Sequence, residues 1–520
     1  MGSTDRREHD QAGAAPRTRA DGRDGRGTSA RRTVVAAAAL VLVAGVAPLS
    51  SDGGAGFAMA AATAAMPFDF DGDGYADVPV GVTGEDVDGA TDAGAVQVLY
   101  GSASGPTGRD QFWHQGQPGM QDAAEEGDWF GASLTSGDFD ADGYADLAIG
   151  VPGEDVGPVQ DAGAVQVIYG GPGGLTTRNQ FWNQDTPGVP GAGEFQDWFG
   201  VSLAAGDFDA DGYADLAIGV PDEDVGDIGE SGLVVVLSGS SSGLTSDGVA
   251  TFRQGAGGVT NRPAPYDGFG RLLAAADVTG DGRDDLVVGT RVRRLCQRYG
   301  ECPPSFYLLR GGPDGLTGSR SQFIDGEGEL GLGYAGGGGA PLGDLTLSDF
   351  NGDGYADLAF AGQESYVALL HGHSDGFHPA RLRPPGVPGR DAVWKIPGWA
   401  EDANGALTSG DVTGDGNPDL FVQVDDPVLL FPGTAAGLSG AIIQWPLYSY
   451  ANMVALPLSG GTHTWLIAST KAPGLPAGAG AITVLQGTPN GAPGPATIWH
   501  QDSPGIEDTA EEWDNFGALP

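Results

Sequence analysis

The sequence predicts an all-β fold and, within that class, a seven-bladed β-propeller of four-stranded antiparallel blades. Three observations support this prediction. An acidic, glycine-containing motif of nine residues recurs six times, at intervals of 69, 69, 70, 72 and 62 residues. A short apolar run follows each copy, and a further strand-like run ending in glycine recurs seven times. No stretch after the first 65 residues shows the period of an amphipathic helix, so each repeat consists of strands.

Each repeat has the same internal order. A Phe-Gly segment such as FGASLTSGDF from Phe130 or FGVSLAAGDF from Phe199 leads into the acidic motif, and the run that follows, such as LAIGV from Leu147, has the length of a buried strand. An outer strand ending in an aromatic residue completes the repeat, as in QFWHQ from Gln111. The third strands begin at Ala95, Ala164, Leu233, Phe306, Tyr366, Val428 and Ala481. Radial packing of such units protects their sheet edges.

The two ends of residues 66–520 complement each other. The last residues, Phe516–Pro520, form the front half of a Phe-Gly segment without its acidic motif, whereas Met66 precedes an acidic motif that lacks its Phe-Gly half. Eight positions separate Phe130 from Asp138, and joining Phe516–Pro520 to Met66–Asp69 also gives eight. We therefore expect the two termini to share one blade and close the ring.

The acidic motif predicts a cation site. Its copies include DFDGDGYAD from Asp69, DVTGDGRDD from Asp277 and DFNGDGYAD from Asp349. Carboxylates about 5 Å apart repel by roughly 3 kcal/mol per pair at an effective dielectric constant near 20. Oxygen-only ligands on a flexible loop favour Ca²⁺. The alternative, aspartate turns without metal, explains one copy better than six copies in phase. The seventh repeat has no carboxylate over Leu456–Ala468 and is expected to be metal-free.

Up to six Ca²⁺ ions are predicted. Positions 1, 3, 5 and 9 of each motif offer a side-chain oxygen, position 7 offers its carbonyl, and glycine at position 6 permits the bend. The predicted ligands are Asp69, Asp71, Asp73, Tyr75 and Asp77; Asp138, Asp140, Asp142, Tyr144 and Asp146; Asp207, Asp209, Asp211, Tyr213 and Asp215; Asp277, Thr279, Asp281, Arg283 and Asp285; Asp349, Asn351, Asp353, Tyr355 and Asp357; and Asp411, Thr413, Asp415, Asn417 and Asp419. Thr279, Asn351 and Thr413 replace a carboxylate, so these three sites should bind more weakly.

The Phe-Gly strand, the DxDxDGxxD turn and the GAV-like third strand, recurring in phase over residues 66–520, resemble the FG-GAP repeats of the integrin α-subunit propeller. Such repeats also occur in bacterial integrin-like proteins and in some fungal lectins. The resemblance implies a seven-bladed propeller with calcium in the hairpin that joins the first and second strands of a blade. It also implies a role in adhesion or ligand recognition.

Residues 1–65 are expected to be a leader, with a signal peptide cleaved near residues 60–65. Arg31 and Arg32 precede an apolar run over Val34–Leu49, which is followed by small residues. We expect the general secretory route, with twin-arginine export as the alternative. The leader contains eight Arg and six Asp or Glu, so its removal changes the net charge from −44 to −46. Such a field opposes nucleic-acid binding. A secreted monomer without a transmembrane anchor is therefore expected.

The hairpins between second and third strands are a candidate ligand-binding face. They are acidic in the first three blades, whereas the fourth blade has Arg291, Arg293, Arg294 and Arg298 around Cys296 and Cys302, a pair expected to form a disulfide. The acidic residues are Glu85, Asp86, Asp88, Asp92, Glu154, Asp155, Asp161, Asp222, Glu223, Asp224, Asp227 and Glu230. The charges either form an ordinary solvated surface or bind an extracellular protein or glycan.

No convincing catalytic residue emerges. GSSSG at Gly239–Gly243 fits the nucleophile-elbow pattern, but it aligns with hairpin turns of the other repeats and no helix follows. The sequence therefore predicts a secreted, calcium-binding recognition or adhesion module that is not an enzyme. The alternatives are a carbohydrate-binding lectin and a propeller enzyme such as a polysaccharide lyase or esterase.

Overall fold

The computed structural model describes residues 65–291, 304–325, 344–362, 366–379, 393–395, 406–423, 427–447, 452–457, 464–472 and 474–520. These ranges contain strands β1 to β29 and no helix. Accordingly, no helix in this part of the chain has the length and apolar character needed to cross a bilayer. The expected leader, apart from Ala65, lies outside the described residues, as do Cys296 and Cys302.

Seven antiparallel sheets form the blades of a β-propeller, which confirms the predicted fold. The first blade contains β1 (Val78–Val82), β2 (Ala95–Leu99) and β3 (Asp110–Trp113). The second contains β4 (Ser133–Gly137), β5 (Asp146–Val151), β6 (Ala164–Ile168) and β7 (Asn179–Trp182). The third contains β8 (Ser202–Gly206), β9 (Asp215–Val220), β10 (Leu233–Ser238) and β11 (Thr245–Phe252). The fourth contains β12 (Leu272–Ala276), β13 (Asp285–Arg291), β14 (Pro304–Arg310) and β15 (Thr317–Asp325).

The remaining blades follow the same order. The fifth contains β16 (Leu345–Ser348), β17 (Asp357–Gly362), β18 (Tyr366–His371), β19 (His378–Pro379) and β20 (Val393–Lys395). The sixth contains β21 (Leu407–Gly410), β22 (Asp419–Gln423), β23 (Val428–Phe431) and β24 (Ile443–Trp445). The seventh contains β25 (Met453–Leu456), β26 (Trp465–Thr470), β27 (Ala481–Gln486) and β28 (Ala496–Trp499). The last strand, β29 (Phe516–Ala518), belongs to the first blade.

The termini of the propeller share one blade, as predicted. Strand β29 pairs antiparallel with β1, with Phe516 opposite Val82 and Ala518 opposite Gly81. The innermost strands β4, β8, β12, β16, β21 and β25 contact one another in sequence. Strand β29 contacts β26, and β1 contacts β4, so the ring is closed.

The outer edge of the fifth blade differs from the others. Two short strands, β19 and β20, replace a single outer strand, and both pair with β18. The sequence between residues 379 and 388 contains four prolines. Proline lacks the N–H group needed for a continuous strand ladder, so an interrupted edge is the expected result.

The core lies between neighbouring sheets. Val165 and Val167 of β6, for example, form one apolar cluster with Leu216 and Ile218 of β9. The phenylalanine of the Phe-Gly segment fixes the blade interface, because Phe130 forms a bridge with Gly94 of the preceding blade. A Cβ atom at Gly94 would lie 2.5 Å from the Phe130 nitrogen, so only glycine permits this approach. The same Gly–Phe bridge joins Gly163 to Phe199, Gly232 to Phe269 and Gly480 to Phe516.

Candidate metal centre

The acidic turns connect the first and second strands of their blades. Residues 138–146 join β4 to β5, and the turns that begin at Asp207, Asp277, Asp349 and Asp411 have the same place in their blades. The first turn, from Asp69, precedes β1, while the inner strand of that blade comes from the C-terminus. Five turns therefore lie in the hairpin that the resemblance implied, and the first has the equivalent place in its blade, next to β1.

The carboxylate at position 1 organises each turn. One oxygen of Asp69 accepts a hydrogen bond from the Asp73 N–H and the other from the Gly74 N–H, both at 3.0 Å. The corresponding oxygens of Asp138 accept from Asp142 at 3.0 Å and from Gly143 at 3.1 Å. The remaining four turns show the same pair of bonds. The position-1 carboxylate thus holds the backbone of the loop in place by accepting its N–H groups.

Glycine at position 6 is required by the backbone conformation. Gly74 and Gly143 lie in the left-handed region, with φ angles of 87° and 92° respectively. The equivalent glycines of the other turns have φ values of 90°, 84°, 88° and 88°. No atom lies within 4 Å of a Cβ placed at Gly74 or Gly143, so the requirement is conformational rather than steric.

The carboxylate at position 9 has a structural role that the sequence did not reveal. Asp146 is 1% exposed, and its two oxygens accept hydrogen bonds from the Phe139 and Gly170 N–H groups, both at 2.9 Å. Phe139 lies in the turn and Gly170 follows the third strand of the blade. Asp77, Asp215, Asp357 and Asp419 make equivalent pairs of bonds. Asp285 accepts from the Gly311 N–H and, within its turn, from the N–H of Thr279 at position 3. Position 9 therefore ties the turn to the third strand.

The donor atoms of the first three turns converge as a cation site requires. Ligand oxygens of Asp69, Asp71 and Asp77 all lie within 4.8 Å of one another, as do those of Asp138, Asp140 and Asp146. In the third turn the converging residues are Asp207, Asp209 and Asp211. At position 3, Oδ1 of Asp140 and Oγ1 of Thr279 are buried without a hydrogen-bond partner. Such orphaned oxygen acceptors fit a hard divalent cation.

Crowding and burial disfavour the ionised form of these carboxyl groups in the absence of a cation. Burial raises the pKa of Asp77 to about 8, although the Gly101 and Phe70 N–H groups oppose the shift. Burial likewise raises the pKa of Asp146 to about 8 and that of Asp215 to about 7. A bound cation would favour the ionised carboxylates and oppose this effect.

Neighbouring turns are hydrogen-bonded to each other. The position-1 carbonyl of Asp69 accepts the Ala145 N–H of the next turn at 3.0 Å, and that of Asp138 accepts the Ala214 N–H at 3.0 Å. Asp284 donates to Asp207 at 3.1 Å and Ala356 to Asp277 at 3.0 Å. The series is broken after Asp349, because Pro418 occupies the donor position in the sixth turn and has no N–H group. The conformation of one turn is therefore coupled to a contact between blades.

The last three turns depart from the first three as the sequence indicates. Thr279 and Thr413 stand at position 3 of the fourth and sixth turns, and Asn351 stands there in the fifth. The Arg283 guanidinium at position 7 lies 3.6 Å from the Asp281 carboxylate. In the fifth turn, Nδ1 of His371 lies 3.1 Å from Oδ1 of Asp357. These turns therefore lack the position-3 carboxylate, and Arg283 and His371 place a basic group beside a carboxylate of the fourth and fifth turns.

Two arginines that were not predicted from the sequence contact the first two turns. Arg109, which immediately precedes β3, donates from Nη1 to Oδ2 of Asp71 and from Nη2 to the Gly173 carbonyl at 2.9 Å. Arg178 makes the same contacts one repeat later, with Asp140 and with the Ser242 carbonyl at 2.9 Å. The signal in the sequence is the recurrence of Tyr and Arg with identical spacing, as Tyr100–Arg109 and Tyr169–Arg178.

The candidate ligand-binding face is less exposed than expected. Glu154 is 2% exposed and Glu85 is 7% exposed, so these residues do not belong to a solvated charge run. The Gln115 side-chain amide donates to Glu154 at 2.6 Å, across the junction of the first and second blades. Asp86 and Asp88 are exposed. Arg293, Arg294 and Arg298 lie outside the described residues, as does the side chain of Arg291.

The GSSSG segment forms a hairpin turn. It lies between β10 and β11, and the Gly243 N–H donates to the Ser240 carbonyl at 2.7 Å. No helix follows it, in agreement with the structural interpretation of this motif.

Comparison with protein families places known repeats on these blades. A family described as FG-GAP repeat matches residues 61–99, 130–168, 199–237 and 269–292. A family described as FG-GAP-like repeat matches residues 349–422. The matched segments contain all six acidic turns.

Curated relatives match part of the chain. Phosphatidylinositol-glycan-specific phospholipase D of Bos taurus is 34% identical over 160 residues, which cover 31% of this chain and 18% of the relative. Integrin alpha-PS2 of Drosophila melanogaster is 31% identical over 249 residues, covering 45% of this chain and 16% of the relative. The chain thus spans less than a fifth of the length of these relatives.

A similar solved structure is an Agrocybe aegerita lectin described as recognising non-reducing terminal N-acetylglucosamine. The alignment has a TM-score of 0.48 and 15% sequence identity, and it covers 83% of this chain and 92% of the lectin chain. The chain contains FG-GAP repeats, and they build a seven-bladed β-propeller with partial similarity to integrin α subunits.

Proposed function

We propose that this protein is an extracellular recognition or adhesion module whose propeller is stabilised by Ca²⁺ bound in the acidic turns. The observation that supports the calcium assignment most directly is the convergence of carboxylate oxygens within 4.8 Å in each of the first three turns. Hard oxygen donors without sulfur or nitrogen ligands favour calcium over transition metals. The ligand sets are those predicted from the sequence, with up to six ions bound.

The proposed role of the metal is structural. Each ion would hold a turn that is itself hydrogen-bonded to the next blade, as Asp69 is to Ala145. A ligand that binds only the folded state, at a hundred times its dissociation constant, adds about 2.7 kcal/mol per site. Calcium should therefore raise the stability of the whole ring rather than of one hairpin.

Metal analysis and thermal unfolding of the full chain test this proposal. We expect bound calcium after gel filtration, and a midpoint of unfolding that falls by several degrees in excess chelator and recovers on addition of CaCl₂. MgCl₂ is the control, because Mg²⁺ requires a strict octahedral geometry and should bind these loops more weakly than Ca²⁺. An unchanged midpoint together with the absence of bound calcium would refute the assignment.

The proposed recognition role rests on the FG-GAP repeats and on partial similarity to integrin α subunits. Its candidate surface is the end of the propeller formed by the hairpins between second and third strands, including the segment with Arg291, Arg293, Arg294 and Arg298. Pull-down from the extracellular medium, with and without calcium, would identify a protein partner. Replacement of the four arginines by glutamine should abolish that binding at an unchanged unfolding midpoint. Retained binding would exclude this segment.

Glycan binding is the second candidate function. Aromatic rings on the surface can stack on sugar rings, and Phe195, Tyr266 and Trp513 are 64%, 49% and 50% exposed. All three lie in the segments that lead into the Phe-Gly strands. A glycan array probed with the full chain distinguishes this candidate from a protein binder, and Trp513→Ala should reduce any signal that depends on this surface.

A further inference from the structure

The first two blades contain a stacked tyrosine–arginine pair beside the acidic turn. The Arg109 guanidinium carbon lies 3.8 Å from the centre of the Tyr100 ring, and that of Arg178 lies 3.8 Å from the centre of the Tyr169 ring. Each tyrosine is itself fixed by the next blade, because its hydroxyl oxygen accepts a backbone N–H, from Leu175 at 2.9 Å for Tyr100. The arginine side chain is therefore held in place by its stacking and by its contact with the neighbouring hairpin.

Each arginine neutralises one predicted metal ligand. Arg109 pairs with the position-3 carboxylate of Asp71, whose side chain is 8% exposed, and Arg178 pairs with that of Asp140, whose side chain is 4% exposed. The guanidinium groups remain about half-exposed. The guanidinium group of each arginine thus contacts one oxygen of the carboxylate that would also bind the cation.

The third blade has lost both members of this pair. Ser238 stands 69 residues after Tyr169, and Asp247 stands 69 residues after Arg178. Among the residues that the structure describes, no Arg or Lys pairs with Asp209, the position-3 carboxylate of this turn. The nine-residue motif itself is identical in the second and third blades. The difference between these two sites is therefore supplied by residues outside the motif.

The converging carboxylates of the third turn also differ from those of the first two turns. In the first two turns the converging oxygens come from positions 1, 3 and 9, whereas in the third turn they come from positions 1, 3 and 5. Positions 1, 3 and 5 are the side-chain ligands at the start of a calcium loop of this type. The turn without an arginine thus presents its leading carboxylates together.

We propose that Arg109 and Arg178 act as built-in cations that lower the calcium affinity of the first two turns and make the third turn the tightest of the three sites. This inference rests on the proposed calcium function. A guanidinium near a divalent ion, partly screened by solvent, should weaken its binding by about tenfold. Arg109 and Arg178 are positioning residues, since they contact a ligand rather than the ion.

Isothermal titration of the metal-free full chain with CaCl₂ tests the proposal. In the double variant R109Q/R178Q we expect two equivalents of calcium to bind about tenfold more tightly than in the wild type. Arg253→Gln is the matched control, because it removes one positive charge without touching an acidic turn, and it should leave the titration unchanged. Glutamine retains much of the length of arginine. Far-ultraviolet circular dichroism recorded in chelator would verify that the metal-free double variant is folded.

The reverse exchange provides a second test. Introducing Ser238→Tyr together with Asp247→Arg should weaken one tight equivalent by about tenfold and leave the other sites unchanged. Unaltered dissociation constants in both the double variant and the exchange variant would overturn the inference while leaving the calcium function intact. Absence of any calcium binding to the wild type would instead overturn the proposed function, and with it this inference.

Discussion

Gln501 donates its side-chain amide to the Glu85 carboxylate at 3.0 Å, although the two residues are 416 positions apart in the sequence. The same contact joins Gln115 to Glu154 at 2.6 Å. A third copy joins Gln184 to Glu223 at 2.7 Å. The junction that closes the ring is therefore built from the same side-chain pair as the junctions between consecutive blades.

Removal of the Phe516 ring should weaken that closing junction. Phe516 is 2% exposed and packs in the cluster that joins the seventh, first and second blades. Phe516→Ala should lower the free energy of unfolding by about 3 kcal/mol, because it leaves a cavity in the only described strand supplied by the C-terminus. Ile498→Ala, at a site 47% exposed, is the control and should have a much smaller effect in urea unfolding. Equal losses in the two variants would contradict the proposed importance of closure.

Glu154 should make stability depend on pH. Burial, followed by the charges of Asp128 and Asp122, raises the pKa of Glu154 from its ordinary 4.5 to about 10. Because the folded state holds this proton more tightly, its stabilising contribution is complete below about pH 4.5 and is lost as the pH rises towards 10. Burial also raises the pKa of Glu85 to about 9 and that of Glu223 to about 7, so these groups act in the same direction.

Glu154→Gln tests this dependence, because glutamine imitates the protonated carboxyl group. In chelator, the variant should be about 2 kcal/mol more stable than the wild type at pH 8 and equally stable at pH 4. Unfolding midpoints measured between pH 4 and pH 9 provide the check. Glu126→Gln, an exposed change in the same region, should show no such difference. A gain that is the same at both pH values would argue against a proton-linked origin.

Positions 5 and 9 of one turn should separate metal binding from turn stability. Both oxygens of Asp146 accept backbone N–H groups, so Asp146→Asn directs an amide group at a donor and should cost about 1–3 kcal/mol even in chelator. Asp142 is exposed, and Asp142→Asn retains the acceptor for the Tyr144 N–H. That variant should match the wild type in chelator and be less stable only in calcium. Identical behaviour of the two variants in chelator would refute this division of roles.

Two adjacent glycines should respond differently to alanine. Gly174 has a φ of 97°, and a Cβ there would lie 1.8 Å from the Tyr100 hydroxyl oxygen of the preceding blade. Gly174→Ala should therefore lower the free energy of unfolding by at least about 3 kcal/mol. Gly173 has open space around its Cβ position, so Gly173→Ala should change stability by less than about 1 kcal/mol. Chemical unfolding of both variants makes the comparison.

The sequence was sufficient to predict the architecture because the repeat encodes each blade locally. The third strands expected from Ala95, Ala164 and Ala481 are β2, β6 and β27, and the pairing of Phe516 with Val82 confirms the shared blade. The broken outer edge of the fifth blade was not predicted. Its proline-rich segment departs from the repeat, so the repeat pattern gave no guide to where β19 and β20 would pair.

The site was predicted only as far as its linear motif extends. The turn, its left-handed glycine and its place between two strands follow from nine consecutive residues. The contact between Arg109 and Asp71 joins residues 38 positions apart, and burial of Glu154 depends on Gln115 of the preceding blade. Those contacts arise from the packing of one repeat against another, which residue spacing within a motif does not specify.

The interrupted series of turn-to-turn bonds changes what holds two blades together. Pro418 has no N–H group to donate at this position. Hydroxyl groups join the fifth and sixth blades here, because Oγ of Ser409 lies 2.7 Å from Oγ1 of Thr346 and 2.8 Å from Oγ of Ser348. Main-chain bonds persist through almost any exchange of side chain, whereas these hydroxyl contacts vanish with a single replacement by alanine. A single mutation at Ser409 can therefore weaken this interface, whereas the main-chain bonds between the other turns do not depend on the identity of a side chain.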